Sequence, residues 1–262
     1  MAERCEILKA IYDNFDEDSR LYKSRAGEME YETTMKYIHK FLKPDAKIIE
    51  IGAGTGQYSV RLAKEGYEVC AVELLDKNIE ILKKNASNVK NIKVLQGDAV
   101  NLCDFSNESF DLTLVLGPMY HLYDRSEVEK AIDEALRVTK KGGVILYAFL
   151  SIHAIMMSQY MLSNFEDGIK ENFDKDFNGI HFAQQGFTGY FVDDFEKLFD
   201  CKNAEYITTV ATDGSLELEE KNPKFNMSDH NFNLYRKYHF ATCEKRELLG
   251  SSSHLLYICK KI

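Results

Sequence analysis

An α/β fold, doubly wound about a mostly parallel sheet of seven strands, follows from three features of the 262-residue sequence. An apolar run, Lys47 to Ile51, meets glycines at 52, 54 and 56 and then an amphipathic stretch from Tyr58 to Lys64. Strand, bare turn and helix in that order make the ligand-binding corner of an open α/β sheet. Between residues 47 and 150, strand-length runs alternate with helical periodicity, which favours parallel strands joined by crossovers. Phe110 to Leu116 is almost continuously apolar, as a strand buried on both faces should be.

Taken in order, residues 1–43 read as helices. Ile7, Leu8, Ile11, Tyr12 and Phe15 share one face, and Tyr31, Met35, Ile38 and Leu42 another. The polar stretch from Asp13 to Arg25 separates them, and Pro44 stops the second before the first strand. After the glycines, Gly66 is the expected left-handed stop of the helix. Glu68 to Glu73 is the second strand and finishes on an acid. Asp76 is the expected N-cap of a helix running to about Ala86. Asn91 to Gln96 is the third strand and leads into Gly97-Asp98-Ala99; Phe110 to Leu116 is the fourth. Ser126-x-x-Glu129 has the form of a capping box for a helix closed by Lys140-Lys141-Gly142-Gly143, and Val144 to Phe149 is the fifth strand.

Residues 151–190 show no clean period but are rich in Met and Phe, and are read as a helical insertion over the site. Asp193-x-x-Glu196 is the expected cap of the next helix, with Phe195, Leu198 and Phe199 inward. Ala204 to Ala211 is the sixth strand. A second insertion spans 214–250, with Phe232, Tyr235 and Tyr238 at helical spacing, and Ser253 to Cys259 is the last strand. The chain thus divides into an N-terminal helical unit, 1–44, and a sheet domain, 45–262.

Composition narrows the function. The net charge is −9 and the pI about 5.4, which disfavours a nucleic-acid partner. Six scattered cysteines lack any Cys-x-x-Cys pair, which argues for reduced thiols and a cytoplasmic setting. The first residues are charged where a signal peptide needs an apolar run, and no apolar stretch reaches membrane-spanning length. His153, His181, His230 and His239 have no metal-ligand spacing, so no metal is expected.

Glu50-x-Gly52-x-Gly54-x-Gly56 departs from the dinucleotide fingerprint, whose third glycine would fall at Gln57. It resembles the first motif of class I S-adenosylmethionine-dependent methyltransferases. That resemblance covers the half of the chain from 47 to 150 and includes the helix-Lys-Lys-Gly-Gly-strand signature. It implies that Glu73, 21 positions after Gly52, meets the ribose hydroxyls and that Asp98 meets the adenine amino group. The implied cofactor-binding set is Glu50, Gly52, Ala53, Gly54, Gly56, Glu73, Leu74, Asp98, Ala99 and Leu116, with S-adenosylhomocysteine as product. It also implies an N-terminal cap over the cofactor or substrate, and a last strand running antiparallel between the fifth and sixth.

Gly117-Pro118-Met119-Tyr120-His121 follows the fourth strand, where ligands of such sheets gather. It fails two of the four positions of the Asn/Asp-Pro-Pro-Tyr motif, so methylation of adenine or glutamine nitrogen is not assigned. His121 is the candidate general base or clamp, and Tyr120 a weaker candidate for shaping the pocket. The acidic charge and aromatic-rich insertion favour a small, partly apolar methyl acceptor, in a monomer or homodimer. An RNA or protein methyltransferase, a non-catalytic binding module and an NAD-dependent oxidoreductase are the competing readings.

Overall fold

The computed structural model describes residues 2–262. Met1, where the expected N-terminal unit begins, lies outside the described residues. Among them, eight strands form one sheet: β1 (Lys47–Ile51), β2 (Glu68–Glu73), β3 (Ile92–Gln96), β4 (Phe110–Val115), β5 (Thr139–Ser151), β6 (Gly189–Tyr190), β7 (Ala204–Ala211) and β8 (His254–Lys261). Their order is β3-β2-β1-β4-β5-β8-β7, with β6 paired to the end of β5. The two-residue β6 is the addition to the seven strands expected. β1 to β5 are parallel, while β8 runs antiparallel between β5 and β7, as the family resemblance implied.

The strand order reverses beside β1, because β2 leaves it on one side and β4 on the other. Connections diverge there and leave a crevice at the carboxyl ends of the strands. Ile48, Ile49, Leu114, Ile145, Leu146 and Phe149 fill the sheet's centre and are fully buried. That burial on both faces explains the apolar runs in the sequence.

The helices are α1 (Ala2–Asp13), α2 (Arg25–Phe41), α3 (Gln57–Lys64), α4 (Asp76–Asn85), α5 (Arg125–Val138), α6 (Ile152–Ile155), α7 (Phe165–Asn172), α8 (Val192–Glu196), α9 (Leu216–Glu220), α10 (Asp229–Thr242) and α11 (Arg246–Leu249). Gly66 stands at φ +103°, the left-handed stop expected after α3.

Several local expectations are corrected. Asp76 is the first residue of α4, not its cap; Leu75 holds the cap position and Asp76 accepts from Gln96 Nε2 at 2.8 Å. The cap of α5 is Asp124, which accepts from the Ser126 amide at 2.7 Å, so the Ser126–Glu129 box does not form and Glu129 pairs with Arg125 instead. Phe191, not Asp193, caps α8, and Glu196 is taken by Thr209 and Arg246. Lys140 to Gly143 belong to β5, which starts at Thr139 opposite Phe110 of β4, with a register shift before Val144. β3 and β4 are joined without a helix. The 151–190 segment is only partly helical: α6, a π-turn over Met156–Tyr160, α7 and a short turn precede β6.

Candidate functional site

The turn after β1 needs its glycines for two different reasons. Gly52 (φ +76°) and Gly54 (φ +54°) lie in the left-handed region, where a Cβ is strained. A Cβ on Gly52 would stand 2.6 Å from Pro118 Cδ, so this glycine lets the segment after β4 close against the turn. Gly56 (φ +88°) does not line the cavity. Its Cβ would meet Leu82 Cδ1 at 2.0 Å, so its absence lets α4 pack against the start of α3.

The cavity at the strand ends is lined by the other nine members of the expected set: Glu50, Gly52, Ala53, Gly54, Glu73, Leu74, Asp98, Ala99 and Leu116. Tyr120 and His121 line it too. Three carboxylates of the expected set therefore converge on one crevice. Glu50 is buried and bonded to the Ser59 hydroxyl, and burial pushes its carboxyl up to about 8. Glu73 accepts from the amides of Gly54 (2.8 Å) and Leu75 (2.9 Å); burial raises its pKa, and those amides oppose the shift. Asp98 accepts from the Val100 amide at 3.2 Å and forms a buried ion pair with Arg4 of α1.

His121 is buried, and both its ring nitrogens are bonded. Nδ1 lies 2.9 Å from the Gly186 carbonyl oxygen, which can only accept. Nδ1 therefore carries the proton, and Nε2 accepts from the Tyr12 hydroxyl at 2.9 Å. Burial lowers its pKa to about 4, so the ring is neutral. The Tyr120 hydroxyl donates to the Leu116 carbonyl at 2.8 Å.

The N-terminal segment brings residues that sequence reasoning did not single out. Arg4, Tyr12, Glu17 and Arg20 all line the cavity. The Glu17 carboxylate oxygen Oε1 stands 3.7 Å from where a Gly54 Cβ would be. Arg20 is held by Glu30 of α2 through two bonds, at 2.6 and 2.8 Å. The resemblance implied a cap from this segment but named no residue in it; the polar break between the two apolar faces brings Glu17, Arg20 and Leu21 to the crevice.

A second cavity of about 520 Å³ adjoins the first and shares Tyr12, Glu17, Arg20, Glu30, Tyr120 and His254 with it. The 151–190 segment supplies Ile155, Tyr160 and Phe187 to its wall, and α9 supplies Glu217 and Glu220. The structure also gathers Asp213, Glu217 and His254, one potential ligand set absent from the sequence spacing. His254 Nδ1 lies 2.9 Å from Asp213 Oδ2. Burial disfavours its charge, yet the carboxylates of Glu30 and Asp213 hold its pKa up to about 9.

Residues 49–147 match the family model of a methyltransferase domain. The Bacillus subtilis protein YqeM is 24% identical over 137 residues, 52% of this chain and 54% of its own. The chain thus spans about half the length of that curated relative. Among solved structures, a SAM-dependent methyltransferase of Methanosarcina mazei superposes with a TM-score of 0.56 at 17% identity, over 86% of this chain and 97% of its own. The 4+2 cyclase SpnF superposes with a TM-score of 0.58 at 14% identity, over 88% and 81%. Residues 49–147 are accordingly a methyltransferase domain, set in the fold of the class I S-adenosylmethionine-dependent methyltransferases.

Proposed function

We propose that the protein is an S-adenosylmethionine-dependent methyltransferase acting on a small, partly apolar acceptor. One observation carries the reading: the bare turn after β1 and the acids ending or following β1, β2 and β3 line a single crevice. The donor set fits the cofactor's chemistry. Glu50 suits an ammonium, Arg20 a carboxylate, Glu73 a vicinal diol and Asp98 an exocyclic amine. Gly52 and Gly54 leave room for the ligand to lie against backbone.

When bound, S-adenosylmethionine supplies an electrophilic methyl carbon, whose bond to sulfur breaks with the electron pair left on sulfur as a bond forms to the acceptor atom. The chain's own task is then to position and to exclude water. Tyr12 and His121 tie α1 across the crevice, and the 151–190 segment walls the neighbouring cavity as a lid. His121, neutral and bonded at both nitrogens, is cast as a positioning residue. Aromatic and aliphatic walls of the second cavity, including Phe15, Leu150 and Ile155, account for a partly apolar acceptor.

The SpnF likeness shows that this fold also hosts other chemistry, so methyl transfer needs a direct test. Calorimetry with S-adenosylhomocysteine and with NAD, followed by turnover with labelled S-adenosylmethionine over an acceptor panel, decides it. Binding of S-adenosylhomocysteine and labelled product are expected. Binding of NAD alone overturns the reading, and cofactor binding without labelled product favours a non-methylating module.

A further inference from the structure

The second cavity is unusual in its charge. Five carboxylates, from Glu17, Glu30, Asp213, Glu217 and Glu220, line it against Arg20, Lys221 and His254. Some of that charge is spent. Glu30 is clamped by Arg20, and Glu220 accepts from the amides of Arg25 and Ala26 at the start of α2, at 2.7 and 3.3 Å. Asp213 holds His254 and Ser252. Among the described residues, Glu17 and Glu217 make only loose ion pairs, with Arg20 Nε at 3.6 Å and His254 Nδ1 at 3.7 Å, both beyond hydrogen-bond reach.

A separate observation also points to a ligand here. Ser253 is 8% exposed and lines the same cavity, yet its hydroxyl oxygen has no partner among the described residues. A buried polar group left unpaired costs free energy that a bound molecule would recover. The walls between these polar groups are aromatic, with Tyr12, Phe15, Tyr120, Tyr160 and Phe187. Ring faces attract cations and accept flat apolar bodies.

We propose that this cavity is the acceptor site of the methyltransferase and that it selects a positively charged amine with an apolar or aromatic body. The proposal rests on the methyl-transfer reading and names its substrate class. Glu217 and Glu17 take the ammonium, Ser253 accepts a further N–H, and the aromatic walls take the body. An acceptor bearing a carboxylate or a phosphate meets like charge there and is rejected. A nitrogen must be neutral to accept a methyl group, so the ammonium first gives up a proton. Glu17 is suited to receive it, since burial raises its pKa. A divalent ion is the rival occupant. A volume of about 520 Å³ favours the larger organic cation.

The test is calorimetry on the full chain, with and without S-adenosylhomocysteine. The probes are phenethylamine, phenethyl alcohol, 3-phenylpropionate, phosphoethanolamine and Mn²⁺. The amine is expected to bind at least tenfold more tightly than the alcohol, and the two anions not measurably. Glu217→Gln, at a partly exposed position, and Glu17→Gln should each weaken the amine at least fivefold. Glu217→Gln should leave S-adenosylhomocysteine affinity within twofold. Equal affinity for amine and alcohol, tighter binding of either anion, or saturable Mn²⁺ binding that displaces the amine overturns the proposal. Amine binding without any binding of S-adenosylhomocysteine leaves the cavity's selectivity standing and removes the methyltransferase reading instead.

Discussion

The Tyr12 hydroxyl donates to Nε2 of His121 across 2.9 Å, joining the first helix to the end of the sheet. The other ring nitrogen is fixed by the Gly186 carbonyl, so one imidazole links three parts of the chain. Losing it should loosen the cover over the crevice. His121→Ala is expected to raise KM for the cofactor about tenfold with a smaller fall in kcat, and Tyr12→Phe to do the same about threefold. Their effects should not add, because they share one bond. A pH–rate profile adds an independent check. The His121 pKa is lowered to about 4, so it should produce no inflection between pH 6 and 8. A base limb near pH 6.5 that vanishes in His121→Ala would restore it as the general base.

The same histidine sets an acid limit on stability. Its folded pKa lies below the ordinary value, so the unfolded chain binds the extra proton first as pH falls. Stability is therefore lost between about pH 6.5 and 4, by up to roughly 3 kcal/mol from this group. His121→Asn should flatten that part of the Tm-versus-pH curve relative to the unaltered chain.

Arg4 and Asp98 form a buried ion pair, with 6% and 8% of their side chains exposed, and Arg4 also reaches Glu127 at 2.7 Å. The acid expected to meet adenine is thus also the anchor of α1. Arg4→Ala leaves a buried carboxylate without its cation, which costs about 3–5 kcal/mol where the structure cannot relax. A terminal helix can relax by detaching, so the effect should appear locally. Amide exchange in residues 4–13 should speed up at least tenfold while the sheet's protection is unchanged. Unaltered exchange in α1 would show that the pair does not hold it.

Glu50 gives a shift of opposite sign. Burial lifts its carboxyl to about 8, so the folded chain keeps a proton that the unfolded chain releases above the ordinary value near 4.5. Its contribution to stability falls as pH rises from about 4.5 to 8, by at most about 5 kcal/mol. Glu50→Gln should therefore raise Tm more at pH 8 than at pH 5. If Glu50 meets an ammonium as the carboxylate, binding of S-adenosylhomocysteine should release a proton below pH 8. Calorimetry in buffers of different ionisation enthalpy measures that release, and Glu50→Gln should abolish it.

The sheet was legible because its signals are local. Apolar runs, bare turns and strand-end acids sit within a few residues of one another, and nine of the ten expected cofactor-binding residues line one cavity. Helix caps were less legible, since neighbouring side chains compete for the same amides: Asp124 wins over Ser126 by standing one residue before the helix. Of the second cavity, only Tyr120 and the 151–190 insertion were legible; its charged groups were not. Glu17, Asp213, Glu217 and His254 come from the N-terminal break, the turn after β7, α9 and β8, and the antiparallel insertion of β8 sets His254 beside Asp213.

Three glycines with positive φ separate backbone freedom from ligand contact. Gly66 has nothing within 4 Å of its missing Cβ, so Gly66→Ala should cost only the left-handed conformation, about 1–2 kcal/mol. At Gly56 a Cβ would strike Leu82, which is fully buried and cannot swing aside. Gly56→Ala should therefore cost roughly 3 kcal/mol or more, while S-adenosylhomocysteine affinity well below Tm stays within about threefold. At Gly52 the Cβ would strike the rigid ring of Pro118 and push the segment bearing Tyr120 and His121 outward. Gly52→Ala should cost both stability and at least tenfold in affinity. Thermal melts and calorimetry on the three variants check the set. Loss of affinity at Gly56→Ala with Tm unchanged would make that glycine a ligand contact instead of a packing residue.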